Sequence, residues 1–259
     1  MERQTNKPLF MAYATQKGGV GKTTFTVLTA SYLHYEKMFN VLVVDCDYPQ
    51  HSIFQMRERE VETVSKDGQL KALAYEQFIR LDKKAYPVLK ASAESAPAIV
   101  EEFLSRTAQV IDLVLFDIPG TVNSPGMYKL LSELDVFFIP ISADRVVLES
   151  SLNFAKAISE MIKVTPQKQL HLFWNLVDQR EKTALYTIYA KGIASLGLSL
   201  LQTRIPDTKR YRKEILRAGQ RPFRSTLFPP DKQMAKGSNI TELIDEILKI
   251  LNLNDHERS

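Results

Sequence analysis

The chain has 259 residues, 44% hydrophobic and 25% charged, which is the make-up of an ordinary soluble globular protein with one sizeable core. No apolar run approaches the ~20 residues that a membrane span needs. The opening MERQTNKPLF has no signal-peptide hydrophobic region, so a cytoplasmic location is expected. The single cysteine, Cys46, excludes an internal disulfide and any cysteine-built metal or iron–sulfur site within one chain, and His34, His51, His171 and His256 have no ligand spacing.

In chain order, short runs apolar on consecutive residues fall at 9–15, 41–46, 86–91, 111–117, 136–141, 170–174 and 200–205. Such runs predict parallel strands covered on both faces. Between them lie helical patterns. The first carries Phe25, Leu28, Tyr32 and Tyr35 at three- and four-residue spacing and reaches about Lys37. Others cover 69–84, 97–109, 148–164, 183–196 and 240–251. This alternation predicts an α/β three-layer sandwich with a mostly parallel twisted sheet. With no repeat and no linker, residues 1–259 are expected to form a single domain, with 253–259 a frayed tail.

Between the first strand and the first helix stands QKGGVGKTT, residues 16–24. A strand, a glycine-rich loop and a helix in this order form a phosphate cradle, in which backbone N–H groups and the positive end of the helix face the anion. Gly18, Gly19 and Gly21 keep side chains out of the phosphate's way, and Val20 lies between them. Lys22 is placed to lie along the β- and γ-phosphates and Thr23 to ligate Mg²⁺, with Thr24 completing the loop. Two features depart from the ordinary pattern. Gln16 stands where a glycine is usual, and Lys17 is a second lysine at the rim. A lysine there could reach the nucleotide of a second copy docked face to face.

QKGGVGKTT resembles the deviant Walker A motif, KGGxGK[ST], of the ParA/MinD ATPases. The resemblance implies a P-loop NTPase fold, ATP and Mg²⁺ as cofactors, and a homodimer with two ATP molecules at its interface. It gives Lys17 the signature role across that interface. VLVVDCDYPQHS is similar to the family's D-x-D-P-Q motif, with Tyr48 interrupting the run. Asp47 is then the carboxylate that orients the attacking water, and Asp45 supports the Mg²⁺ region. IDLVLFDIPG fits Walker B, with Asp117 holding Mg²⁺ and 119–126 acting as a γ-phosphate switch. Asn175, after a strand, and Ile205, Pro206 and Asp207 fall where the family contacts the base; a helix cap is the alternative for Asn175.

Net charge is +4, but between Arg204 and Lys236 ten basic residues face three acids, so that stretch is +7 and the remainder −3. Such a segment fits a polyanion. Helical spacing puts Lys209, Lys213 and Arg217 near one face beside Arg210, with Arg221 following, and these five are the expected contacts to nonspecific DNA. By resemblance the protein is a ParA-type ATPase, slow by itself and stimulated by a ParB-like or other activating partner. It would bind DNA in the ATP state and serve plasmid or chromosome segregation, or transfer of a conjugative element. The rival is a MinD-like membrane-associated positioning ATPase. The acids of ITELIDEILKILNLNDHERS disfavour a lipid-binding tail, so no membrane partner is expected. A metabolic ligase or kinase sharing the loop is the remaining alternative.

Overall fold

The computed structural model describes residues 7–16, 18–120, 124–162, 168–178, 180, 184–212 and 221–253. The elements are β1 (Leu9–Tyr13), α1 (Lys22–Tyr35), β2 (Val41–Asp45), α2 (Ser52–Lys66), α3 (Gly68–Leu81), β3 (Val88–Lys90), α4 (Ala96–Arg106), β4 (Leu113–Asp117), α5 (Pro125–Glu133), β5 (Val136–Ile141), α6 (Arg145–Ile162), β6 (Gln169–Val177), α7 (Ala184–Ser195), β7 (Ser199–Pro206), a 3-10 turn (Lys209–Arg212), α8 (Lys232–Ala235) and α9 (Ile240–Ile250).

All seven expected strands form one sheet in the order β3-β2-β4-β1-β5-β6-β7, and every pairing among the described residues is parallel. Alternate strand residues go to opposite faces. Phe10, Ala12, Leu42, Val44, Phe116, Phe137 and Ile139 pack with Val100, Met127, Leu131, Phe154 and Tyr186 from α4 to α7. Met11, Tyr13, Val41, Val43, Leu115 and Phe138 pack with Phe25 and Leu28 of α1 and with Leu243, Ile244 and Ile247 of α9. Both faces are dry, which is why the strands read as unbroken apolar runs. Each buried Val, Leu, Ile or Phe contributes about 1.5–3 kcal/mol to that arrangement.

Three helices were not anticipated, α2, α5 and the four-residue α8. α2 is strongly charged and buries only Ile53, Met56 and Glu60, so little apolar content marks it in the sequence. Its start is fixed from outside: the Asp45 carboxylate accepts from Ile53 N–H at 2.9 Å and Phe54 N–H at 3.0 Å. α5 is short, begins with Pro125 and is capped by the Ser124 hydroxyl, which accepts from Met127 N–H at 3.2 Å.

The sheet order turns at β1. The chain runs from β1 out to β2 and β3, returns to β4, then crosses β1 to β5. In open α/β sheets a ligand crevice lies at such a switch point, beyond the carboxyl ends of the strands. The register brings Tyr13, Asp45 and Asp117 to one level there. At the amino end of α8 runs an irregular strap, residues 221–230. It is buried from Pro222 to Pro230 save at Arg224, which is half-buried.

Candidate nucleotide site

The glycine loop leaves β1 and closes on α1 as its sequence requires. Gly19 has φ 78° and Gly21 φ 90°, left-handed values that favour glycine. A Cβ on Gly21 would also stand 3.2 Å from the Phe25 ring. No side chain caps the amino end of α1 and no acid occupies its first turn, so the helix presents its positive end to the loop. Gly18, Gly19, Gly21, Lys22, Thr23, Thr24, Asp47, Gln50, Ile118, Pro119 and Gly120 enclose a cavity of about 430 Å³. Gly120 closes its floor: a Cβ there would meet the Gln16 carbonyl oxygen at 3.2 Å and Lys22 Nζ at 3.6 Å.

The charges are arranged for a cation and a polyanion. Thr23 Oγ1 donates to Asp117 Oδ2 at 2.8 Å. Asp117 Oδ1 is buried without a hydrogen-bond partner. Burial pushes the Asp117 carboxyl up to about 7; the Thr23 bond opposes that shift and Asp45 adds to it. An orphaned buried carboxylate oxygen beside a hydroxyl is a donor set that fits Mg²⁺, since oxygen ligands are what this ion takes. Burial also draws the Lys22 ammonium below the usual lysine range, against the pull of Asp117 and then Asp47. Lys22 is therefore an anion-facing charge in a partly dry pocket, where a charge acts more strongly than in water.

The other predicted residues divide. Asp47 lines the cavity, and its N–H donates to Asp45 Oδ1 at 3.2 Å. Asp45 is fully buried and turns its oxygens to Asp47, Ile53 and Phe54, so in this structure it organises the turn and caps α2. The extra Tyr48 is accommodated by a turn in which His51 N–H donates to the Asp47 carbonyl at 2.8 Å. Asn175 lies within β6, not beyond it, and caps no helix. Its Nδ2 donates to the Val20 carbonyl at 2.9 Å and its Oδ1 accepts from Leu176 N–H at 2.9 Å. The β6–β7 register slips on both sides of Trp174 and Leu176 has φ 56°, a local irregularity at the point where Asn175 meets the glycine loop. Pro206 and Asp207 line a second cavity of about 420 Å³ with Val177, Asp178, Thr208 and Arg210.

Lys17, Lys213 and Arg217 lie outside the described residues, as do 121–123 of the expected switch. Of the other expected DNA contacts, Lys209 is exposed. Arg210 instead donates to the carbonyls of Met234 at 3.0 Å and Lys236 at 2.5 Å, and Arg221 lies 5.7 Å from the Phe228 ring. The run expected to be helical from Lys209 is a 3-10 turn as far as Arg212. Lys232 and Lys236, counted in the basic stretch but not among the five expected contacts, are exposed. Arg224, counted by sequence only as part of the basic run, donates from its guanidinium to Thr24 Oγ1 at 2.5 Å. No local motif marks Arg224, because its partner is remote in sequence.

A parallel sheet with a glycine loop at its switch point, a lysine, and a Thr–Asp pair built for a cation defines a P-loop nucleotide-binding domain. The comparisons agree: the CobQ/CobB/MinD/ParA nucleotide binding domain matches residues 11–220, and the chain belongs to that family. An uncharacterised protein of Borreliella burgdorferi is 23% identical over 226 residues, covering 79% of this chain and 90% of its own. Cobyrinic acid a,c-diamide synthase from Mycobacterium smegmatis, solved with an ATP analogue and magnesium, aligns with TM-score 0.62 and 18% identity over 95% of this chain and 96% of that one. A Borrelia burgdorferi B31 protein assigned to plasmid partition, bound to AMPPNP, aligns with TM-score 0.60 and 17% identity over 94% of this chain and 99% of that one.

Proposed function

We propose that the protein is a ParA-type ATPase that binds ATP with Mg²⁺, pairs with a second copy around the nucleotides, holds DNA nonspecifically in that state and releases it on hydrolysis. The observation that carries the reading is the Thr23–Asp117 pair, with one carboxylate oxygen unclaimed, within electrostatic reach of Lys22 at the loop cavity. Nucleotide-bound neighbours of the same fold, one of them assigned to plasmid partition, support it.

The residues divide the work. Loop amides and the start of α1 take the phosphate oxygens, and Lys22 holds the β- and γ-phosphates in line. Thr23 and Asp117 are the residues that would hold Mg²⁺; when bound, the ion neutralises charge on the phosphate oxygens. Asp47, which lines the cavity beside Gln50, orients the attacking water. Asp45 acts through Asp47 by fixing its turn. Asn175 steadies the loop, and the cavity at Pro206 and Asp207 takes the base. Lys17 reaches the partner's phosphates. Tyr48, Tyr128 and Val146, 70%, 55% and 63% exposed, follow the carboxyl ends of β2, β4 and β5 and supply apolar surface for the second copy. Lys209, Lys232 and Lys236 are the exposed described cations for DNA phosphates. The apolar face of α9 is already packed against the core, which disfavours the membrane-associated rival.

The test is DNA binding with ATP, ADP and no nucleotide, on the wild type and on Lys17→Ala. Binding is expected only with ATP, and log affinity should fall against log salt by about 0.9 per phosphate contact. Lys17→Ala is expected to keep nucleotide binding and lose ATP-dependent pairing or hydrolysis. Equal DNA affinity in all three nucleotide states overturns the reading.

A further inference from the structure

The turn between β2 and α2 carries Asp45 and Asp47, and its own hydrogen bonds close it into a ring. Asp47 N–H donates to Asp45 Oδ1 at 3.2 Å. Asp45 Oδ2 accepts from Ile53 and Phe54 N–H, at 2.9 Å and 3.0 Å, and so holds the start of α2. His51 completes the ring from the far side. Its backbone N–H donates to the Asp47 carbonyl at 2.8 Å. Its Nδ1 lies 3.1 Å from the Asp45 carbonyl oxygen. A carbonyl oxygen only accepts, so Nδ1 carries the proton in this bond. The imidazole stands edge-on to the exposed Tyr48, with ring centroids 5.8 Å apart. His51 has φ 44° and ψ 56°, left-handed values uncommon for a residue with a side chain. Such a conformation persists where the surroundings over-determine it, as the two bonds to Asp45 and Asp47 do here.

From this closed turn we infer that His51 is a positioning residue for hydrolysis: its ring holds the backbone that carries Asp47, and so fixes where the Asp47 carboxylate stands at the phosphate cavity. The inference rests on the role given to Asp47 in the proposed function. Asp47 lines that cavity and its charge acts on Lys22, whereas His51 is not among the lining residues and acts only through the turn. The Asp45 carbonyl also accepts from Ala91 N–H at 3.1 Å, so removal of the imidazole strands no backbone acceptor. What removal takes away is the restraint between residues 45 and 51, across a run that Tyr48 lengthens. A displacement of about 1 Å at a reacting group is enough to cost ~10²-fold in rate. Nucleotide binding belongs to the glycine loop and the start of α1, which His51 does not touch.

The experiment is phosphate release against ATP concentration with Mg²⁺, paired with calorimetric titration of the β,γ-imido analogue of ATP, on the full chain. His51→Gly keeps the left-handed backbone and removes the ring. It is expected to lower kcat roughly 10- to 100-fold. KM and analogue affinity should stay within about threefold of wild type. His51→Phe keeps a ring against Tyr48 but has no donor. It carries the same expectation and decides the matter if His51→Gly does not fold. His51→Asn tolerates the left-handed conformation and offers a side-chain N–H in place of Nδ1, so it is expected to restore most of the lost rate. In an Asp47→Asn background, itself slowed, His51→Gly is expected to cost no further rate, because both changes act through one carboxylate. Wild-type kcat in folded His51→Gly or His51→Phe overturns the inference alone. So does a fall in analogue affinity that matches the fall in kcat, a His51→Asn variant as slow as His51→Gly, or an undiminished His51 effect in the Asp47→Asn background. Wild-type turnover in Asp47→Asn, or no hydrolysis by the wild-type chain, overturns the inference together with the reading beneath it.

Discussion

The glycine loop and the strap both approach α1, and both lack regular structure, yet their hydrogen-bond accounts are opposite. The loop is rich in glycine, exposed at Gly18 and Gly19, and presents backbone to a cavity. The strap is buried, and side chains of α1, α2 and α3 satisfy its backbone: Ser31, Tyr35, Arg57, Glu60 and Gln77 each bond to it. Irregular backbone in a protein interior needs such partners, whereas irregular backbone at a ligand site must be left able to bond the ligand. The loop is thus built to gain partners from a ligand, and the strap to have them in advance.

The sharpest way to break this contrast is Arg57→Ala. Arg57 donates to the Tyr86 carbonyl at 3.0 Å, the Thr226 carbonyl at 2.9 Å and Thr226 Oγ1 at 2.7 Å. Its removal strands buried acceptors and takes a compensating charge from Glu60, a loss of about 3–5 kcal/mol. Chemical denaturation should show it as a lower midpoint with an unchanged slope. A loss below about 1 kcal/mol would mean that the strap is held by its apolar side chains alone.

On the loop side, Lys22→Ala should lower turnover by about 10²–10³-fold, or 2.7–4 kcal/mol of transition-state stabilisation, as loss of a preorganised charge at a developing anion does. Phosphate release at saturating ATP and Mg²⁺ reads it, and folding stability should barely change because the side chain borders the cavity. A large stability loss would make the lysine part of the scaffold and erase the difference between the two regions.

A third test uses protons. His34 on α1 is buried; its Nε2 lies 2.9 Å from the Lys84 carbonyl, and its ring faces Tyr35 and Tyr86. Burial brings it down to about 4, with Lys83 and Arg57 acting the same way and the backbone bonds to Lys84 and Phe39 opposing. Its usual value is about 6.5, so below that pH the unfolded chain takes up the proton first. The stabilisation is complete above pH 6.5 and is lost progressively between 6.5 and 4, by up to about 3 kcal/mol. Glu60, raised by burial, tilts the other way over an overlapping window. The measurement is therefore the difference between the pH–stability curves of wild type and His34→Phe. A flat difference would show that His34 charges freely in the folded chain.

How far the sequence could be read follows from the same contrast. Strands buried on both faces announce themselves as apolar runs, and a phosphate loop requires a local pattern of glycine, lysine and threonine, so β1 to β7 and residues 18–24 were legible. α2 was not, because its amino end is set by Asp45, and Asp45 itself read as metal support when its oxygens serve the helix. The basic stretch read as one surface. In the fold Arg204 stacks on Tyr186, Arg210 binds carbonyls and Arg224 bonds to Thr24, leaving Lys209, Lys232 and Lys236 exposed among the described residues. Charge counts report what a segment carries, whereas burial decides which charges remain at the surface.

The smallest effect is expected where the loop touches the sheet. Asn175→Ala removes the bond from Nδ2 to the Val20 carbonyl and the local one from Leu176 N–H to Oδ1, and leaves the Val20 carbonyl in a mostly buried spot. The expected cost is about 1 kcal/mol, read as roughly fivefold weaker nucleotide binding. The pattern across nucleotides matters more than the size. If Asn175 only steadies the loop, ATP and GTP weaken by the same factor, because the phosphates they share are what the loop holds. If it also touches the base, the ratio of their affinities shifts. An unchanged ratio would assign base selection to the cavity at Pro206 and Asp207.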